Sequence, residues 1–503
     1  MSVNTKINIS KKILNGFFFA VIFYIIFFGI FFRTFGLVHP MSFFCDEGGL
    51  IHNLQVKSYW QLFLPLEQAQ CSPPFFMILS KFIYSKCGIH EVYLRLLPFI
   101  SSICSLFLFC FLLNKLFKNR LAVVFSLLTF TFNIKLITYS YIFKHYTTDV
   151  LISLLLLIFA CYIKDVVPDA KKSVLAAVFC IICMFCSYTA CIIVAALFFA
   201  YFGKMLCDEN LKNKKIQIFK SMLCFCLCFG SAVVVYYFFN CVSNISNVQL
   251  QSFWSGHIQN AVFFPHNFSE FKNLIMFLSG MPSFCFPVIL VFTGFSVLKL
   301  FKTDKYFLII LTMPFVIGLI LGILSVYPFA PERVSFYLIP VFIVLLTFSF
   351  DISFENRINL YKATNIVFCL LLISVKIFTA FNLNEKNLVE EYSFSNMKQF
   401  FEVLAKSDIT PDDYIFPNYY NRDLFITYDI NHTYNSSKLI AKFDDGDLAD
   451  FFPDNSYIYF FLSDKYVMYS QTIEKTVRDN CKIVYEVENY YGNFIKCYYK
   501  KQK

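Results

Sequence analysis

Glycine is scarce in this chain, 15 of 503 residues, and nowhere forms the glycine-rich loop that cradles phosphates. That absence excludes a nucleotide-binding half. The seven histidines (His39, His52, His90, His145, His257, His266 and His432) form neither HxxxH nor HExxH, so each reads as a loop residue rather than a metal ligand. No CxxC…CxxC array occurs, although there are 19 cysteines. Most of them, such as Cys104, Cys110, Cys180 and Cys224, lie inside apolar runs and behave as small hydrophobes. Internal repeats and low-complexity tracts are missing. The N-terminal apolar run is not followed by a small-residue cleavage site, which argues against a cleaved signal.

What the chain has in abundance is apolar surface. Hydrophobic residues make up 58% and the mean hydropathy is +0.61, above the roughly 45–50% of soluble domains. This composition defines a polytopic membrane protein. The 68 phenylalanines are read as lipid-facing and core filler.

Runs with little or no charge fall at 13–32, 96–113, 121–138, 147–163, 173–203, 221–241, 281–298, 306–327, 334–350 and 363–382. The run 173–203 exceeds the roughly 20 residues of one span, and Ser187-Tyr188-Thr189 predicts its division into two short helices. Eleven spans result. Lysine clusters then alternate between loops: Lys115/Lys118, Lys164/Lys171/Lys172, Lys212/Lys214/Lys215 and Lys299/Lys302/Lys305 fall on one side. By the positive-inside rule that side, with the N-terminus, is cytoplasmic. The overall charge of +10 hides a split, because residues 383–503 carry 14 Lys/Arg against 19 Asp/Glu. No uniform basic surface is left for nucleic acid. The same segment alternates strand-like and helix-like stretches, including 414–416, 457–462, 482–487 and 493–499. That predicts a small α/β domain outside the membrane. Cys481 and Cys497 flank two of these strands and can pair there in an oxidising compartment.

The chemistry-bearing residues concentrate between 44 and 98. Cys45-Asp46-Glu47-Gly48-Gly49 follows the first span, then Gln70-Cys71-Ser72-Pro73-Pro74, then Glu91-Val92-Tyr93-Leu94-Arg95. An acidic pair at a bilayer boundary is costly, which marks it as functional. Farther on come Lys144-His145-Tyr146-Thr147-Thr148-Asp149 and Pro331-Glu332-Arg333, at the same ends of their spans.

The order of these motifs resembles the GT-C glycosyltransferases, in the bacterial protein-mannosyltransferase-like and lipid-A aminoarabinose-transferase-like branch. The resemblance covers about residues 40–163, reappears near 333, and is architectural elsewhere. It implies a GT-C transmembrane domain over 1–382, with its first extracytoplasmic loop at 33–95, followed by the C-terminal domain at 383–503. It implies Asp46 as the base or its orienting partner, Glu47 second and Asp149 as a further acidic residue. Asn53, Lys81, Arg95, Lys144, Tyr146 and Arg333 would bind substrate. The bland alternatives are a helix-stopping acidic pair, a snorkelling Lys81 or Arg333, an Asp149 helix cap and a Glu91–Arg95 pair on one helix face. The family's upstream acid falls on Ile142, a departure.

The expectation is therefore an integral-membrane glycosyltransferase of the bacterial cytoplasmic membrane. It would take a monosaccharide from a polyprenyl-phosphate donor to an envelope glycan, lipid or protein, meeting only membrane lipid besides. No cofactor is assigned; a divalent metal is left open and not favoured. The rival is a transporter or flippase of lipid-linked saccharides, which predicts ionisable groups at the bilayer midplane and two related halves.

Overall fold

Apolar runs in lipid must satisfy their backbone internally, so they fold as helices. The computed structural model describes residues 3–38, 42–43, 45–260, 266–350, 360–381, 404, 413–416, 456–462, 475–489 and 492–500. It opens with α1 (Val3–Val38), α2 (Cys45–Val56), α3 (Pro74–Cys87), α4 (Glu91–Leu94) and α5 (Leu96–Leu116). α6 (Arg120–Thr131) and α7 (Ile134–Thr138) follow, bent by 52° at their junction, where Asn133 caps α7 by accepting from Lys135 N. Next come α8 (Tyr146–Ile163), α9 (Ala170–Cys186) and α10 (Ala190–Cys207), and the break between the last two falls at Ser187–Thr189 as expected. α11 (Lys215–Phe225), α12 (Ser231–Tyr236) and α13 (Val242–Ile245) are joined by two π-turns into one long rod. α14 (Val248–Asn260), α15 (His266–Ser279), α16 (Phe286–Thr303), α17 (Lys305–Ile323), α18 (Leu338–Phe350) and α19 (Leu360–Phe381) complete the helices.

Among the described residues, seven helices are long and apolar enough to span a membrane, and an eighth if α6 and α7 count as one broken span. This count does not confirm the expected eleven: α9 has 17 residues, the described part of α18 ends at Phe350, and the apolar stretch within α19 is Ile366–Phe378. The fold is nonetheless that of a polytopic α-helical membrane protein.

Charged groups are built into the bundle, Arg33 on α1 and Lys376 on α19 among them. Arg33 on α1 is fully buried and donates to Ser102 Oγ (2.8 Å), Gly29 O (2.9 Å) and Thr131 O (3.1 Å), tying α1 to α5 and α6. A Cβ on Gly29 would run into Thr131, so a small residue permits this close packing.

In the C-terminal region the strands are β1 (Tyr414–Phe416), β2 (Ser456–Leu462), β3 (Cys481–Asn489) and β4 (Gly492–Tyr499), in the order β1-β2-β4-β3. β1 pairs β2 in parallel and the other pairs are antiparallel. Cys481 and Cys497 are two free, hydrogen-bonded thiols on the paired strands β3 and β4. The helix-like stretches at 396–406 and 419–427 fall outside the described residues, apart from Leu404. A core of Phe43, Leu50, Leu54 and Phe76 from the first loop also takes in Leu404, Ile415 and Tyr459.

Candidate active site at the loop end of the helices

α2 begins with Cys45, so Asp46 and Glu47 stand in its first turn, where the helix dipole favours carboxylates. Their environments then diverge. Glu47 is buried and turns inward, accepting from Arg95 Nε (2.9 Å), Arg95 Nη2 (2.7 Å) and the backbone N–H of Phe143 (2.6 Å). It therefore clamps the segment just before α8 against α2. Arg95 finds its carboxylate 48 residues upstream, and also donates to Ser42 O at 3.2 Å.

Asp46 faces a cavity of about 390 Å³. Arg333 Nη1 lies 2.6 Å from its Oδ2 and Lys144 Nζ 4.0 Å away. Burial pushes the Asp46 carboxyl up. The charges of Lys144 and Arg333, with hydrogen bonds from Arg333 and Gln70, outweigh it and hold the group below its ordinary value. Burial likewise works against the Arg333 cation, but Tyr146 and Asp46 keep it protonated well above its usual value. The guanidinium also sits over Phe253 (5.7 Å) and Trp254 (6.0 Å) on α14, which line the same cavity.

Tyr146 and Asp149 complete the wall from the first turn of α8. The Tyr146 ring is wedged between Tyr139 and Phe336. Asp149 is buried, with Oδ2 3.8 Å from His145 Nε2 and no hydrogen bond to Oδ1. Burial first, then Lys144 and Arg333, push the His145 imidazole down to about 3, so it is neutral. Burial pushes the Cys71 thiol in the same wall up to about 12, which makes it a poor nucleophile.

The other predicted residues stand outside the cavity. Asn53 staples α2 to the loop below it, donating to Gly49 O (2.7 Å) and Glu67 O (3.2 Å) and accepting from Glu67 N (2.8 Å). Lys81 caps the end of α2 by donating to Leu54 O (2.7 Å) and Lys57 O. Lys81 and Asn53 thus shape the loop without lining the cavity, as do Glu47 and Arg95. The cavity instead gains residues not singled out from sequence: Gln70, His145, Tyr188, Asn244, Trp254 and Tyr327. Gln70, just before Pro73-Pro74, and His145, beside Lys144, stand in stretches that carried a signal.

Among the described residues, no three His, Cys, Asp or Glu come together as a metal-holding group. A second cavity of about 310 Å³ at the opposite end of α8 is walled by Phe159, Phe179, Phe198 and Phe225 and contains no carboxylate. The cavity lined by carboxylates is the one at the loop end.

Fold and site together define a polytopic membrane protein with a charged cavity where its helices meet their loops. No family model matches the chain, and no curated protein matches its sequence. Solved structures that it resembles include ArnT from Cupriavidus metallidurans bound to undecaprenyl phosphate, at 10% identity and a TM-score of 0.48, over 96% of this chain and 98% of that one. Another is the Archaeoglobus fulgidus oligosaccharyltransferase tethered to an acceptor peptide, at 12% identity and a TM-score of 0.48, over 96% and 74%. A third is the same organism's AglB with an inhibitory peptide and a dolichol-phosphate, at 10% identity and a TM-score of 0.47, over 96% and 74%. These are GT-C glycosyltransferases, the family whose motif order the sequence resembles. At this level the likeness places no residue of the site.

Proposed function

We propose that the protein is an integral-membrane glycosyltransferase that transfers a monosaccharide from a polyprenyl-phosphate donor to an acceptor hydroxyl outside the cytoplasmic membrane. The observation that carries this reading is the meeting of Asp46, Lys144 and Arg333 in one cavity at the helix ends. Sugar transfer from a lipid phosphate needs both halves of that set. Two cations neutralise the phosphate as it leaves, and a carboxylate takes the acceptor's proton. The acceptor oxygen bonds to the anomeric carbon as the bond from that carbon to the phosphate oxygen breaks, and polyprenyl phosphate departs with the electron pair. Inversion at the anomeric carbon is what the family resemblance implies. Trp254 and Phe253 offer apolar faces, and Gln249 and Gln251 amides, for a sugar ring.

The flippase reading fits less well. The cavity's charged groups stand at helix ends rather than in the middle of the spans, with Asp149 one turn inside α8. The test is purified protein in liposomes with radiolabelled polyprenyl-phosphate sugars and an envelope extract as acceptor. Labelled product is expected; movement of the lipid between leaflets without transfer would reverse the choice.

Lys144 and Arg333 should each contribute about 1.5–3 kcal/mol to holding the phosphate, as charge-assisted bonds do. Lys144→Ala or Arg333→Ala is therefore expected to raise the KM for the donor about tenfold or more. Unchanged donor use in both variants would make them anchors only. A reporter fused at Lys214 is expected on the cytoplasmic side; finding it outside would invert the site's placement.

A further inference from the structure

Lys144 and Asp46 carry opposite charges in a mostly buried site, yet stop 4.0 Å apart. A charge-assisted N–H···O contact normally closes to about 2.7–2.9 Å. Gln70 sits beside both. Its Oε1 accepts from Lys144 Nζ at 2.7 Å and its Nε2 donates to Gln68 O at 3.4 Å, while the same side chain helps hold the Asp46 carboxyl below its ordinary value. The chain goes to some trouble to put it there. Gln68 and Ala69 both adopt left-handed backbone conformations (φ 56° and 51°), which side-chain-bearing residues rarely do. The Gln68 Oε1 is buried with no hydrogen bond, so that side chain does not hold the turn. On α2, the place a Cβ would take at Gly49 is filled by Gln70, with Nε2 2.8 Å and Cδ and Cγ 3.0 Å away. A strained turn and a missing side chain both serve the seat of one amide.

We propose that Gln70 is a positioning residue, a spacer that keeps the Lys144 ammonium off the Asp46 carboxylate so that both remain available to substrate. An incoming phosphate has only to replace a neutral amide oxygen at Lys144, not a carboxylate. Asp46, for its part, keeps a lone pair that a direct lysine pair would occupy. This inference rests on the transferase reading for its consequence, but the spacing itself does not.

The test is Gln70→Leu, which keeps the bulk and removes both polar atoms. Donor KM is expected to rise about tenfold, since Lys144 must then leave an ion pair to meet phosphate. The acid limb of kcat/KM, which reports the free enzyme, is expected to move to lower pH. A direct ion pair favours the carboxylate more than the lost amide bond did. A limb that moves to higher pH, or stays, would overturn the proposal, because simple loss of a hydrogen-bond donor gives that result. Gly49→Ala retains the amide but crowds it, and should shift both quantities in the same directions by less; no shift there counts against the proposal. A cryo-EM structure of Gln70→Leu needs no transfer assay. Lys144 Nζ should close onto Asp46 to an ordinary ion-pair distance, and a gap still near that of the parent would refute the spacer whatever the protein transfers.

Discussion

Asp46→Asn is expected to abolish most transfer, by about 10²–10⁴-fold in kcat, the range seen when a general base is lost. The substitution keeps the shape and one acceptor oxygen but removes charge and basicity. Its effect on donor affinity should run the other way. In the resting protein Asp46 holds Arg333 at 2.6 Å, so it competes with the donor's phosphate for that guanidinium. Without the competitor, donor KM should stay level or fall. This split follows from geometry: the pair neutralises the base at rest, and seating phosphate on Arg333 and Lys144 restores its basicity when acceptor attack becomes possible. Purified variant and parent, assayed across donor concentration, read both quantities. Near-normal kcat would retire Asp46 as the base, and a large rise in donor KM would place it in donor binding instead.

The pH dependence carries the same sign. The Asp46 carboxyl is held below its ordinary value by Lys144 and Arg333 against the upward push of burial. It is therefore ionised throughout the neutral range. Its contribution to stability is present above the unfolded value of about 4 and is lost as pH falls through the lower folded value. Transfer should likewise decline only in acid, with no limb near 7 from His145, which is neutral there.

The sequence made the helical bundle and the terminal strands legible because both are written in local patterns. Runs without charge marked the helices, and Ser187-Tyr188-Thr189 marked the division of the longest. Span number was less legible. An apolar run does not reveal the 52° bend between α6 and α7. Within the site, Asp46, Lys144, Tyr146, Asp149 and Arg333 were each visible as polar groups at span ends, and all five line the cavity. The partners were not visible. Arg95 has Glu91 four residues before it, a spacing that predicts a helical pair. The chain also carries Arg95 to Glu47, because the first loop folds α2 back against the start of α5. Gln70, an amide with no charge to betray it, becomes significant only when the turn at Gln68 and Ala69 places it beside two ions.

Breaking the Glu47–Arg95 pair should give the largest loss of stability. Both side chains are almost wholly buried, at 1% and 4% exposure, joined by two hydrogen bonds, and the guanidinium lies 5.1 Å from the Phe43 ring centroid. Arg95→Met takes two charge-assisted hydrogen bonds and the compensating cation from a buried carboxylate. Removing one member of such a pair costs about 3–5 kcal/mol, because the remaining charge is neither solvated nor compensated. The consequence reaches the site. Glu47 holds the Phe143 backbone, Phe143 is followed by Lys144, and slack in that clamp moves the ammonium away from Asp46 and Gln70. Glu47→Gln keeps an acceptor for Phe143 and should reduce kcat far less than Asp46→Asn, while lowering thermal stability more. The double change Glu47→Gln with Arg95→Met should recover part of the stability lost by Arg95→Met alone, since the Glu47 charge is removed along with its partner. Thermal unfolding of the four proteins in detergent, each paired with a transfer assay on the folded fraction, separates the two roles. An Arg95→Met protein as stable as its parent would mean that this pair is not what fixes the first loop. Lys144 would then owe its position to Gln70 and the turn beneath it.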